Sequence, residues 1–252
     1  MKRIKLIVAY DGTNYCGWQI QPNGITVQEV LNTVISQVTG ETIQVIGASR
    51  TDSGVHAYGN VAVFDTQSSI PAARMCQALN QKLPVDIRIV HSEEVKREFH
   101  PRYAKTRKTY EYQIMNTKIL VPTQRLYAYA VTYDLDISKM RVAAQALVGT
   151  HDFTSFCSLR TEVEDMVRTI YAIEIEEKDM TYLHGTDKEI RICIQGNGFL
   201  YNMVRIIVGT LVGVGRGFYQ PEQMKEILEA KDRKVAGVTA PPHGLFLKQI
   251  EY

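Results

Sequence analysis

The densest run of reactive side chains is Gly47-Ala48-Ser49-Arg50-Thr51-Asp52-Ser53-Gly54-Val55-His56-Ala57. On residue types alone, Asp-Ser-Gly is ordinary turn chemistry, because aspartate can bond its own backbone and glycine takes positive φ. The same residues also suit catalysis. A carboxylate and a guanidinium two residues apart, on a loop held between two strands, can be aimed rigidly at a substrate.

A second run is Gly196-Asn197-Gly198-Phe199-Leu200-Tyr201-Asn202-Met203-Val204-Arg205-Ile206-Ile207-Val208-Gly209. It reads as a helix that is apolar nearly all round, hence buried. Arg205 is the exception, on a strip shared with Asn202, Gly209 and Gly213. A buried guanidinium needs a partner. A structural ion pair, a snorkelling position and a pairing with a catalytic carboxylate all satisfy that need.

A third run is basic. Lys96, Arg97, Arg102, Lys105, Arg107 and Lys108 are interleaved with His100, Tyr103 and Tyr110, and only Glu98 opposes them. Such runs are usually solvated faces. The aromatic interleaving and the mid-chain position favour a groove that contacts phosphates.

Two look-alikes fall away. Gly213-Val214-Gly215-Arg216-Gly217 follows a helix instead of preceding one, so it is no dinucleotide loop. The histidines lack metal-ligand spacing, and His56, His151 and His243 read singly as structural or loop residues. Cys16, Cys76, Cys157 and Cys193 form no CxxC pair, which points to reduced thiols and no zinc site.

The elements that must position these residues follow a repeated order. A strand over 3–10 ends at the turn Asp11-Gly12-Thr13-Asn14. Val27, Val30, Leu31, Val34, Ile35 and Val38 share a helical face that Gly40 closes. Strands at about 42–48 and 57–65, a helix opened by Pro71 and a strand at about 86–95 complete β-α-β-β-α-β, the split ferredoxin-like pattern. The second half repeats it in pattern, though not in residue identity. Strands are expected at about 106–116 and 125–133, then a helix over 136–148 ending at Gly149. Strands at about 167–177 and 189–197 and a helix from about 200 to 212 follow. Pro221 opens an extra helix, and Gly244 to Tyr252 reads as a last strand. The expected fold is therefore α/β (α+β): two ferredoxin-like halves, 1–104 and 105–252, forming a largely antiparallel sheet with a central RNA-binding cleft.

The chain has 252 residues, 45% of them hydrophobic, enough for a substantial core. A net charge of only +2 means that any nucleic-acid site must come from local clustering. The apolar run after the basic start is too short for a signal peptide, and no stretch reaches the roughly 18 apolar residues of a membrane span. A cytoplasmic protein is expected.

Arg50-Thr51-Asp52-Ser53-Gly54-Val55-His56-Ala57 resembles the active-site signature of the tRNA pseudouridine synthase A family. Tyr10-Asp11-Gly12 with Gly17-Trp18-Gln19, Lys108-Thr109-Tyr110-Glu111-Tyr112 and Gly149-Thr150-His151-Asp152-Phe153 resemble further motifs of that family. So do Gly198-Phe199-Leu200 with Met203-Val204-Arg205 and Gly209, and Pro242-His243-Gly244-Leu245. These motifs stand in order over almost the whole chain. Ser49 stands where glycine is common, Ser53 where alanine is usual and Asn202 where histidine is frequent.

The resemblance implies an isomerase that detaches uracil from C1′ of its ribose, turns it and rejoins it through C5, with neither cofactor nor metal. It implies Asp52 as the essential nucleophile, Arg205 as its partner, and Tyr110 as the residue that stacks on the flipped base and handles a proton. Arg50, Val55, His56, Arg102, Lys105, Lys108 and Leu245 are the implied contacts to substrate or RNA. The implied substrate is uridine at positions 38, 39 and 40 of tRNA, in the anticodon stem-loop, and the implied assembly is a homodimer. The rival reading is a non-catalytic RNA-binding protein of the same fold, which would be expected to lose Asp52, Tyr110 or Arg205. All three are present. A glycoside hydrolase would need two flanking carboxylates, and the signature offers one.

Overall fold

The computed structural model describes residues 1–158, 164–180 and 187–252. In chain order its elements are β1 (Lys2–Tyr10), α1 (Val27–Thr39), β2 (Ile46–Gly47), β3 (His56–Thr66), α2 (Ala72–Asn80), β4 (Ile87–Val95) and β5 (Arg107–Asn116). Then come β6 (Tyr129–Val131), α3 (Ile137–Gln145), β7 (Gly149–Asp152), β8 (Val167–Asp179), β9 (Lys188–Gly196), α4 (Met203–Gly215), α5 (Gln223–Ala230) and β10 (Leu245–Glu251). The chain divides into two units. One holds Met1–Thr106 with Phe246–Tyr252, the other Arg107–Leu245.

In the first unit the sheet runs β4-β1-β3, and β2 pairs with β3. Strand β1 is antiparallel to both neighbours, with Ile4 opposite Phe64, Leu6 opposite Ala62 and Val8 opposite Asn60. Its alternation is what the pleat requires: Ile4, Leu6 and Val8 are fully buried. Helix α1 starts where Thr26 accepts a hydrogen bond from the Glu29 amide and stops at Gly40 in the left-handed region (φ 73°). Its apolar face is Val27, Leu31, Val34 and Ile35, and α2 packs against β4. This is the β-α-β-β-α-β order expected for the N-terminal half.

The expected strand over 42–48 shrinks to two residues for a local reason. Polar side chains of α1 take the backbone groups that a ladder would use. Gln28 donates to the Val45 carbonyl (2.9 Å), Asn32 accepts from the Val45 amide (2.9 Å), and Ser36 accepts from the Ile43 amide (2.9 Å). The first unit also receives β10, which runs parallel to β3 with Phe246 opposite His56 and Leu247 opposite Ala57.

In the second unit the order is β5-β9-β8-β7, antiparallel throughout, and β6 pairs parallel with β5. Ile190, Ile192 and Ile194 of β9 lie opposite Ile114, Tyr112 and Tyr110 of β5, forming a buried sheet face. Helices α3 and α4 pack together.

Three expectations shift here. Helix α3 ends at Gln145, because Ala146, Leu147 and Val148 each bond the carbonyl three residues back and tighten the last turn. Gly149, expected as its stop, opens the short strand β7 instead. The helix expected over 200–212 begins at Met203, because Asn202 takes the left-handed conformation (φ 61°) that asparagine tolerates. It continues to Gly215 through Gly209, where a β-carbon would lie 1.8 Å from the Val238 oxygen, so the helix can carry only glycine there. The strand expected at about 125–133 is confined to Tyr129–Val131, after a 3-10 turn opened by Pro122.

Candidate functional site

The sequence-predicted residues divide between the units. Arg50, Asp52, Val55, His56, Arg102 and Lys105 lie in the first; Lys108, Tyr110, Arg205 and Leu245 lie in the second.

Asp52 sits on the loop from β2 to β3, and nearly every residue around it is tied down. The Thr51 carbonyl accepts from the Trp18 amide (3.1 Å), and its hydroxyl shares a buried hydrogen bond with the Tyr10 hydroxyl (2.6 Å). The Ser49 carbonyl accepts from the Asn60 side chain (3.0 Å), whose amide also reaches the Tyr10 oxygen (3.4 Å). Beyond Asp52, the Ser53 hydroxyl and the Gly54 amide both donate to the Tyr15 carbonyl (3.2 and 3.3 Å). The Val55 amide returns to the Asp52 carbonyl (3.2 Å), a turn that Gly54 permits at φ 75°. Asp52 itself is half-buried. The motif over residues 10–18 and the signature over 50–57 are thus one structural object: the first is the bracket that aims the second. A carboxylate held from both sides is preorganised for chemistry.

His56 and Val55 are each 1% exposed, so they act as packed supports of the loop. The His56 Nδ1 accepts from the Gly12 amide (3.0 Å), and the imidazole stacks on Phe246 at a centroid separation of 4.7 Å. Asp11 Oδ1 lies 3.1 Å from the same nitrogen. The Gly12 amide and the Asp11 carboxylate thus both converge on the one ring nitrogen. The same Asp11 oxygen accepts from the Thr13 amide and hydroxyl (3.0 and 2.6 Å).

Arg102 reaches back to this loop. Its Nη2 donates to the Gly47 carbonyl (3.2 Å). Partial burial, and then the like charge of Arg50, hold its guanidinium below the ordinary arginine value. Two exposed arginines that repel each other form a ready seat for an anion. Lys105 is exposed nearby in the sequence, and Lys108 is partly buried at the start of β5.

In the second unit Tyr110 is 7% exposed and packs edge-on against Phe199, with ring centroids 5.2 Å apart. Tyr112, on the same face of β5, is fully buried and donates to the Pro241 carbonyl (2.7 Å). Burial drives its hydroxyl far above the ordinary tyrosine value, against the smaller opposing pull of the Arg205 charge. Arg205 is anchored within its own unit. Its Nε donates to the Ala240 carbonyl (2.8 Å) and its Nη1 to the Asn202 side chain (2.7 Å). Leu245, 5% exposed, follows Gly244, which packs on the Tyr112 ring.

Sequence reasoning missed Tyr10, Trp18 and Asn60 as supports of the loop, and Asn202 and Ala240 as anchors of Arg205. Asn60 had left a signal: it is a fully buried amide within the apolar run of β3. Among the described residues no group of three or more His, Cys, Asp or Glu side chains is placed to hold a metal ion, and no helix is long and apolar enough to cross a membrane.

Residues 6–104 and 143–252 match the sequence model of a family described as tRNA pseudouridine synthase. Asp52 and Arg205 fall inside the matched stretches; Tyr110 falls between them. A protein named tRNA pseudouridine synthase A from an Exiguobacterium species is 50% identical over all 252 residues, covering 98% of that relative. Proteins of the same name from a Thermoanaerobacter species and from Brevibacillus brevis are 48% and 47% identical, with 100% of both chains covered.

Proposed function

The chain belongs to the tRNA pseudouridine synthase family, and from that premise we propose that Asp52 is the nucleophile with which it turns uridine into pseudouridine at positions 38, 39 and 40 of the tRNA anticodon stem-loop. The enzyme is an isomerase acting on tRNA. In the reaction the N1–C1′ bond breaks, the uracil turns, and a C5–C1′ bond forms. C5 loses its proton and N1 regains one, so atoms and electrons balance without a co-reactant. The observation that carries the assignment is the bracketed loop: Asp52 is a half-exposed carboxylate whose flanking residues are hydrogen-bonded on both sides.

Each partner has a role suited to its chemistry. Arg205 is the cation that keeps the nucleophile ionised, since an arginine near an aspartate lowers its pKa by roughly 1–3 units. Tyr110 stacks on the base and takes the C5 proton. Arg50, Arg102, Lys105 and Lys108 contact phosphates, offsetting the few kcal/mol that extruding a stacked base costs. Val55, His56 and Leu245 keep the site packed and dry, so that water does not intercept the detached sugar. The enzyme works in the cytoplasm, where its substrate is, as a homodimer, which sedimentation of the purified protein tests.

The deciding experiment is incubation of the purified protein with unmodified tRNA transcripts and mapping of pseudouridine by position. Asp52→Asn keeps the shape and removes the charge, so isomerisation should vanish while tRNA binding survives. A mutant that retains more than a few per cent of the rate, about the level expected of a residue outside the chemistry, removes Asp52 from the nucleophile's role.

A further inference from the structure

Asn202 stands at the N-cap of α4, yet its side chain makes no capping hydrogen bond. Asparagine is among the best N-caps, and such a cap typically stabilises a helix by about 1 kcal/mol. Here that contribution is forgone. The amide turns elsewhere: its Nδ2 donates to the Ser158 hydroxyl (2.8 Å), and its Oδ1 accepts from Arg205 Nη1 (2.7 Å). Ser158 is itself tied to the Tyr201 carbonyl through its backbone amide (3.1 Å). The backbone of Asn202 is left-handed (φ 61°, ψ 6°), and this bend lets residue 202 face back toward residue 205.

We propose that Asn202 is a positioning residue for Arg205, holding the guanidinium in the plane that the isomerisation requires. The proposal rests on the reading that Arg205 acts in the reaction. Arginine is a planar fork with five N–H donors. The anchor on Nε, to Ala240, holds one edge of the fork. A second anchor on Nη1 fixes the plane, so whatever the other N–H groups meet is met in one orientation. Arg205, which can only donate, requires the Oδ1 end of the Asn202 amide, and the Nδ2 end is then left to donate to the Ser158 hydroxyl. A chain of three side chains, Ser158 to Asn202 to Arg205, thereby converts the loop before residue 159 into a rest for the arginine.

The test is a cycle between positions 202 and 205, read by single-turnover rate on tRNA, tRNA affinity and thermal midpoint. Asn202→Gly keeps the left-handed backbone and removes the amide. Its rate should fall on the order of 10- to 100-fold, as misplacement of a reacting group by about 1 Å does, with affinity and midpoint nearly unchanged. Asn202→Asp keeps the backbone preference and the acceptor oxygen for Arg205 but must meet Ser158 by accepting from its hydroxyl instead of donating to it, so its rate should lie between those of the wild type and Asn202→Gly. In an Arg205→Met background, Asn202→Gly should have no further effect, because a residue acting through Arg205 has nothing left to orient. A wild-type rate for Asn202→Gly, a rate for Asn202→Asp at or below that of Asn202→Gly, or an equal slowing in the Arg205→Met background overturns the proposal. A wild-type rate for Arg205→Met would instead overturn the role given to Arg205 itself.

Discussion

Gly12 lies so close to Val55 that a β-carbon at position 12 would stand 2.0 Å from the Val55 carbonyl oxygen and 2.6 Å from its carbonyl carbon. The obstacle is backbone, which cannot rotate aside. Gly12→Ala should therefore push the strand side of the Asp52 loop outward. Overpacking of this kind costs about 1–3 kcal/mol. The rate should fall by more than that stability loss explains, since the displaced group is the turn that carries Asp52, the proposed nucleophile. Circular dichroism with a single-turnover assay checks this; a folded Gly12→Ala enzyme of wild-type rate would show that the loop tolerates the shift.

The Tyr10 and Thr51 hydroxyls share one buried hydrogen bond at 2.6 Å. Tyr10→Phe and Thr51→Val should each destabilise the protein, by about 1–3 kcal/mol, by stranding a buried polar group. The double change should cost less than the sum of the two, because neither hydroxyl then remains to miss the other, and the Asn60 amide keeps the Ser49 carbonyl (3.0 Å). Denaturant unfolding of the four proteins measures the coupling, and strict additivity would mean that the bond contributes nothing.

Replacing Arg102, Lys105 and Lys108 by alanine should weaken binding of all tRNAs alike. It should also flatten the dependence of log affinity on log salt, by about 0.7 to 0.9 for each phosphate that is no longer neutralised. Arg102 has a second role, since it holds the Gly47 carbonyl (3.2 Å). Arg102→Ala should thus reduce the rate at saturating tRNA as well, whereas Lys105→Ala should change affinity alone. Salt titrations of binding decide: an unchanged slope would make the cluster a solvated face.

Arg3 grips Asp65 with two hydrogen bonds (2.8 and 2.7 Å) and reaches the Phe99 carbonyl with a third (3.0 Å). The pairing holds the Asp65 carboxyl below its ordinary range. A carboxyl depressed in the folded state contributes stability above its unfolded pKa of about 3.9, and that stability drains away as pH falls through the folded value. Asp65→Asn should lower stability near neutral pH and make acid unfolding below about pH 4 less steep. Parallel wild-type and mutant acid curves would show that the pair carries no linkage.

What the sequence made legible was chemistry written locally. Helix α1 could be read because its apolar period, its Thr26 cap and its Gly40 stop all lie within one segment. The Asp52 turn could be read because Asp-Ser-Gly is itself turn chemistry. Strand β2 misled, because the side chains that take its backbone groups belong to α1 and look like ordinary solvent-facing residues. The anchor of Arg205 on Ala240 could not be read at all: a backbone carbonyl 35 residues away has no residue type to announce it. The bend at Asn202 was hidden for the opposite reason, since Leu200 and Tyr201 carry the apolar pattern up to it and Met203 resumes it.

The pairing of Phe246 with His56 has a consequence for how the molecule is made. A ribosome completes β3 and the Asp52 loop early, but the strand that lies beside β3 emerges only after the entire second unit. Throughout that interval the His56 end of β3 is paired with β1 on one side only and lacks the Phe246 ring that stacks on His56, and an open strand edge invites wrong pairing. The same late segment brings Tyr252, whose hydroxyl donates to the Pro101 carbonyl beside Arg102 (2.9 Å). Nascent chains of this enzyme should therefore be protease-sensitive around residue 56 until β10 has emerged, so the first unit is closed only after the second has been made.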